Sequence, residues 1–290
     1  MRRSFFELQA CGYQIPLGLK TSIMGILNCT HDSFSGDGFL SGPKGQMDKD
    51  QVLRYARKMV KDGADILDVG GESTRPGSSG ISAKEEIRRV VPVVDLLVRH
   101  IKVPVSVDTS KIEVAQAALD KGASIVNNIM GTQTSIKFLK MVCSYDAALV
   151  MMHMRGTPAT MQSKTRYKNV IQDVIDELKI SVEKCLRVGI KKERIIIDPG
   201  IGFAKNVGQN LMLIHHLNKL SLLRCPVLLG VSRKSFIGQV LDKGPSGRLM
   251  GTAAAVTVGI MQGAHIVRVH DVRTIKETVR MTDAILKNNT

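Results

Sequence analysis

Arg268 and His270 stand two residues apart in the stretch HIVRVHDV, residues 265–272. Its apolar alternation reads as a buried strand, whose period of two puts both side chains on one face. Two cationic groups on one side of a buried strand need an anionic partner. A third basic group, Lys234, lies in SRKS (232–235), where Ser232 is positioned to cap a short helix beginning near Lys234. Backbone N–H groups near Ser235 would add the partial positive charge of a helix N-terminus. Together these residues read as a site for a phosphate or diphosphate. The other polar candidates are acids and amides: Asp108, Asn127 and Asp198. A carboxylate beside an amide can hold a flat heterocycle bearing adjacent N–H donors, through paired hydrogen bonds. Paired carboxylates also serve glycoside hydrolysis, but no aromatic platform for a sugar is evident and the basic cluster would then have no task.

Eight short apolar runs ending in polar residues carry these groups: SIMGILN (22–28), ADILDVGG (64–71), VPVSVDTS (103–110), ASIVNNI (123–129), ALVMMHM (148–154), RIIIDPG (194–200), PVLLGVS (226–232) and HIVRVHD (265–271). Their polar ends are Asn28, Asp68, Asp108, Asn127, His153, Asp198, Ser232 and Arg268 with His270. Helical spacing fills the intervals, as in DQVLRYARKMVKDG and NVIQDVIDELKISVEKCLRVG. SAKEEIRRVVPVVDLLVRH opens with a Ser82–Glu85 capping box, and its Pro92 predicts a kink. Strand–helix alternation implies parallel strands, and eight units close naturally as a (β/α)8 TIM barrel. The alternative, an open doubly wound sheet, lacks its Gly-rich dinucleotide loop after the first strand. The expected layout is α/β and a single domain: an N-terminal extension over 1–21, forming a hairpin at the barrel bottom, then the barrel over 22–290. Barrel chemistry sits at the C-terminal ends of the strands, so the eight polar ends form one ring. Two long loops rich in Gly, Ser and Pro, 28–46 and 70–82, read as lids or binding loops over it.

Composition narrows the classes. Apolar residues make up 43% of 290, enough for a large core, which 14 Met and no Trp must fill with aliphatic side chains. No apolar run reaches the roughly 18 residues that span a bilayer, so the reading is soluble, with no membrane. Five cysteines without CxxC spacing fit a reducing, cytoplasmic compartment and argue against a zinc site. The net charge of +15 invites nucleic acid. No basic run is interleaved with aromatics that could stack on bases, so the reading is no nucleic acid and an anionic small substrate.

Six stretches in register, MGILNCTHDSFS, DVGGESTRPG, SVDTSK, DPGIGFAKN, VSRKSFIG and RVHDV, together resemble the dihydropteroate synthase family over nearly the whole chain, from 22 to 280. The resemblance implies a TIM barrel that condenses 6-hydroxymethyl-7,8-dihydropterin diphosphate with 4-aminobenzoate in folate synthesis, the step that sulfonamides target. It implies pterin contacts from Asp108, Asn127, Met152, Asp198 and Lys234, and diphosphate contacts from Asn28, Arg268 and His270, with Mg²⁺ at Asn28. It implies 4-aminobenzoate among Thr74, Arg75, Pro76 and Phe203, with its carboxylate at Ser235, and a homodimer. Lys234, Arg268 and His270 would act in catalysis. Three positions depart from the family pattern. His31 replaces a Pro, SFSGDG replaces SFSDGG, and Asn128 replaces an Asp expected beside the pterin. Asp37 is then the carboxylate that would replace the usual one in the first loop and act in catalysis. The alternatives are a pterin-dependent methyltransferase domain, which needs no diphosphate clamp, and a paralogue that binds pterin without turnover.

Overall fold

The computed structural model describes residues 3–29, 48–73 and 80–288. His31, Gly36, Asp37, Thr74, Arg75 and Pro76 lie outside the described residues.

A hairpin of β1 (Phe6–Ala10) and β2 (Tyr13–Leu17) precedes eight parallel strands: β3 (Ser22–Asn28), β4 (Ile66–Gly70), β5 (Val105–Asp108), β6 (Ile125–Asn128), β7 (Ala148–Met152), β8 (Ile195–Asp198), β9 (Leu228–Leu229) and β10 (Ile266–Val269). Their order is β8-β7-β6-β5-β4-β3-β10-β9. A parallel bridge between Ile197 and Val227 joins the two ends of that series, with Ile197 N donating to Pro226 O at 3.0 Å. The result is the expected barrel. Around it lie α1 (Lys49–Lys61), α2 (Ala83–His100), α3 (Ile112–Leu119), α4 (Ile136–Ser144), α5 (Val170–Arg187), α6 (Val207–His215), α7 (Ser235–Leu241), α8 (Leu249–Met261) and α9 (Val272–Lys287).

Strands buried on both faces explain the near-continuous apolar runs. Outward residues such as Ile23, Leu67, Val107, Leu149, Ile197 and Val267 share one core with the helices. Inward residues Met24, Ile66, Ile125, Ala148, Val150, Ile196, Leu228 and Ile266 fill the barrel together with Leu8, Ala10 and Leu17 of the hairpin. The hairpin touches segments that precede strands: Cys11 N donates to Asp146 O, and Ser4 O meets His265 Nε2. It therefore covers the N-terminal mouth and leaves the C-terminal one for chemistry.

One local expectation changes in α2, its capping box. The helix α2 runs through Pro92 as one element, with the proline on its exposed face, where a missing hydrogen bond is tolerated. Ser82 caps it by accepting from Glu85 N at 3.2 Å. The Glu85 carboxylate does not complete the box. It turns instead to Arg88 and Arg89.

Candidate active site

Parallel register aligns Asn28, Gly70, Asp108 and Asn127 in one row across β3, β4, β5 and β6. Alternation along each strand keeps Asp68 and Asp108 on the inner face with the buried core residues beneath them. Arg268 starts beside Met24, two inward positions below Asn28, and its long side chain rises toward this row. Its Nε donates to Asp68 Oδ2 at 2.6 Å and its Nη2 to Asp108 Oδ2 at 2.7 Å. Asn127 Nδ2 donates to the same Asp68 oxygen at 3.1 Å. One fully buried carboxylate thus fixes both a cation and an amide. Arg268 remains 20% exposed, so its outer N–H edge faces the mouth.

Across the barrel, Asp198 ends β8 and accepts from Gly200 N at 2.7 Å. Lys234 reaches back over this turn, donates to Ile201 O and stands 4.6 Å from the Phe203 ring centroid. Met152 and Phe203 share a small apolar cluster with Ile129 and Met161, which forms a nonpolar wall. Ser235 is exposed at the start of α7. Beside it opens a cavity of about 440 Å³, also lined by Gly202, Asn206, Phe236 and Gln239. His270 N donates to Ser232 Oγ at 3.2 Å, and that oxygen lies 2.9 Å from His270 Nδ1. Ser232 therefore orients His270 and does not cap α7 as expected; Lys234 holds the N-cap position, with no side-chain cap bond.

Burial sets the electrostatics. It pushes Asp198 upward, with Lys234 acting against it, and it pushes Lys234 down to about 8, with Asp198 acting against it. Asp108 is likewise raised by burial and opposed by Arg268. The mouth is a set of mutually compensating charges.

Two residues escaped the sequence reading, and the role of a third was not legible. Asp68 was visible as a strand end, but nothing in the sequence distinguished its role from that of any other. Gly70 and Gly230 look like ordinary strand glycines. A Cβ on Gly230 would stand 3.8 Å from both Asp198 Oδ2 and Lys234 Nζ, and one on Gly70 would stand 3.8 Å from Asn28 Oδ1 and Asp108 Oδ2. Side chains there would fill the space these groups enclose. Asn128 is a correction. It lies buried on the opposite face of β6 from Asn127, and its Oδ1 accepts from Met130 N at 2.7 Å. It shapes a turn and does not border the inner row.

A model of the family described as pterin binding enzyme matches residues 24–270. The dihydropteroate synthase of Bacillus subtilis (strain 168) is 44% identical over 268 residues, covering 92% of this chain and 89% of its own. The structure of Yersinia pestis dihydropteroate synthase with a sulfonamide drug complex superposes with a TM-score of 0.90 at 37% identity, covering 97% of this chain and 100% of that one. Xanthomonas albilineans dihydropteroate synthase with 4-aminobenzoic acid superposes with a TM-score of 0.86 at 34% identity, covering 97% and 98%.

Proposed function

The chain belongs to the pterin binding enzyme family, and we propose that it is a transferase that joins 6-hydroxymethyl-7,8-dihydropterin diphosphate to 4-aminobenzoate, the dihydropteroate synthase step of folate synthesis. One observation carries the reading: a single mouth joins a carboxylate–amide–lysine end to an arginine–histidine end. Asp108, Asn127, Asp198 and Lys234 would take the N–H and carbonyl groups of the pterin, whose face would lie on Met152. Arg268, His270 and Asn28 would take the diphosphate. Phe203, Ser235 and the exposed N-terminus of α7 would receive the aminobenzoate, with Thr74, Arg75 and Pro76 as further contacts.

The arylamine nitrogen attacks the pterin methylene as its bond to diphosphate oxygen breaks. The bonding pair leaves with diphosphate, and the nitrogen gives up a proton. An electron-rich dihydropterin tolerates the positive charge that develops, so the protein's task is to stabilise the departing anion. Arg268 meets that task without reorganising, because Asp68 already holds its Nε. No nucleophile–base dyad is required.

Among the described residues no three His, Cys, Asp or Glu cluster to enclose a metal. The Asn28 amide oxygen borders the space beside Gly70 that no side chain fills, a single oxygen donor that suits Mg²⁺, which takes its other ligands from water and substrate phosphates. Asn28 would hold it, and bound Mg²⁺ would neutralise charge on the leaving diphosphate. No described helix is long and apolar enough to cross a membrane. Five free cysteines support a cytoplasmic setting.

The homodimer reading draws support from α8. Met250, Ala254, Val258 and Met261 form an exposed stripe at helical spacing, with Met250 74% exposed. A second copy of the same stripe would cover it, and sedimentation should give a dimer.

The functional test is product formation. Diphosphate release should require both substrates and Mg²⁺ and should match 7,8-dihydropteroate produced. Release that is independent of 4-aminobenzoate, or pterin binding without turnover, would reject the synthase reading.

A further inference from the structure

The turn after β8 is tightly curled. Gly200, Gly202 and Ala204 all have positive φ, at 67°, 85° and 51°. A Cβ on Gly200 would stand 1.9 Å from His153 O, so only glycine passes there. This turn supplies three parts of the mouth: Gly200 N to Asp198, Ile201 O to Lys234, and the Phe203 ring.

Beneath it lies Lys205, 3% exposed. Its Nζ stands 3.1 Å from Gly200 O, 2.9 Å from Phe203 O and 3.0 Å from His153 Nδ1. An ammonium has one N–H for each of these acceptors. His153 Nε2 lies 3.1 Å from Glu177 Oε2 of α5, and Glu177 is also held by Arg155. A neutral His153 that donates from Nε2 to Glu177 leaves Nδ1 free to accept from Lys205. Every proton in this chain then has an acceptor. His153 N also donates to Asp198 O at 2.9 Å, so the same histidine secures the end of β8.

We propose that Lys205 is a positioning residue of the transfer reaction: from behind the barrel its ammonium clamps the 200–204 turn, and so sets where Asp198, Lys234 and Phe203 stand relative to the substrates. This rests on the synthase reading given above. Burial is the main cause that pushes Lys205 down to about 7, opposed by Asp198, and burial with the Lys205 cation pushes His153 down to about 4. A simple packing residue would not require a cation kept buried at that cost. The charged groups around it are His153, Glu177, Arg155, Asp198 and Lys234, and none of them replaces a donor to Gly200 O or Phe203 O.

Three variants of the full chain test the clamp: Lys205→Met, His153→Leu and His153→Asn. Lys205→Met takes the ammonium from Phe203 O and His153 Nδ1, while Gly200 O keeps Phe203 N at 3.0 Å, and should lower kcat/KM for both substrates by roughly 10- to 100-fold at temperatures well below Tm. Its Kd for the pterin diphosphate, read by calorimetry without turnover, should also rise. His153→Leu removes one acceptor and should lower kcat/KM by roughly tenfold. His153→Asn restores an acceptor near Nδ1 and should recover most of that loss. A fall in Tm with unchanged kinetics and unchanged pterin Kd in Lys205→Met would make the residue structural only and overturn the proposal. If Lys205→Met does not fold, the histidine pair decides: equal kinetics and equal pterin Kd in Leu and Asn variants overturn it, and rescue by Asn supports it. A parent protein that binds pterin diphosphate but forms no dihydropteroate would reject the synthase reading, while the Kd comparison still tests the clamp.

Discussion

Asp68→Asn isolates the pairing that organises the mouth. The parent carboxylate is fully buried, and one of its oxygens accepts from both Arg268 Nε at 2.6 Å and Asn127 Nδ2 at 3.1 Å. Asparagine keeps the shape and one acceptor but removes the charge that holds the guanidinium. Its new N–H₂ would lie toward Asp68 Oδ1, an oxygen with no hydrogen-bond partner among the described residues, so those donors gain nothing. Breaking a buried ion pair costs about 3–5 kcal/mol. Arg268 keeps its bond to Asp108 and is 20% exposed, so the effective loss falls to about 1.5–3 kcal/mol. That is roughly a 10- to 150-fold fall in kcat/KM for the pterin diphosphate. Stopped assays of diphosphate release give the number, and a double-mutant cycle tests its cause. In the Asp68→Asn background, Arg268→Ala should cost much less than in the parent, because the arginine has already lost its alignment. Additive losses would mean that Asp68 acts on stability alone, and that Arg268 does not depend on it for its place.

Further expectations follow from the same geometry. Arg268→Ala should weaken the pterin diphosphate far more than the corresponding alcohol, and calorimetry giving equal losses for both would make the arginine structural. The pH profile of kcat/KM should be bell-shaped. Asp198, raised by burial, must be ionised, so activity is lost as pH falls through its folded pKa, while Lys234 must be protonated and loses its proton as pH rises through about 8. Lys205, pushed down to about 7, gives up its proton before Lys234, so Lys234→Gln should be slower and should lose only the limb near 8; a limb persisting near 8 would belong to another group. Gly200→Ala should destabilise the fold by more than about 2 kcal/mol, since its methyl meets the His153 carbonyl at a positive φ. Thermal unfolding within a degree or two of the parent would contradict that.

The barrel was legible because it follows from local rules. Each apolar run is short, ends in a polar residue and is separated from the next by helical spacing, and parallel connection leaves few ways to close eight such units. The same rules identified Asn28, Asp108, Asn127, Asp198 and Arg268, since a strand's last inward residue must face the mouth. The partners chosen within the mouth were harder to read. Arg268 and His270 asked for an anion, and the structure answers for Arg268 with two carboxylates from strands some 160 and 200 residues away in sequence. No local pattern encodes that distance; barrel register does. Asn128 shows the opposite limit. One position along a strand moves a side chain from the inner row to the helix side, so its likeness to a family aspartate carried no information about the pocket. Lys205 was hidden for a third reason, and His153, read as a polar end of the mouth ring, instead lies buried between Lys205 and Glu177. They act behind the wall, where a buried cation in sequence looks like any other lysine until its three acceptors are seen together. A ring of strand ends can be read one element at a time, whereas the groups that hold the ring in place become visible only after the barrel closes.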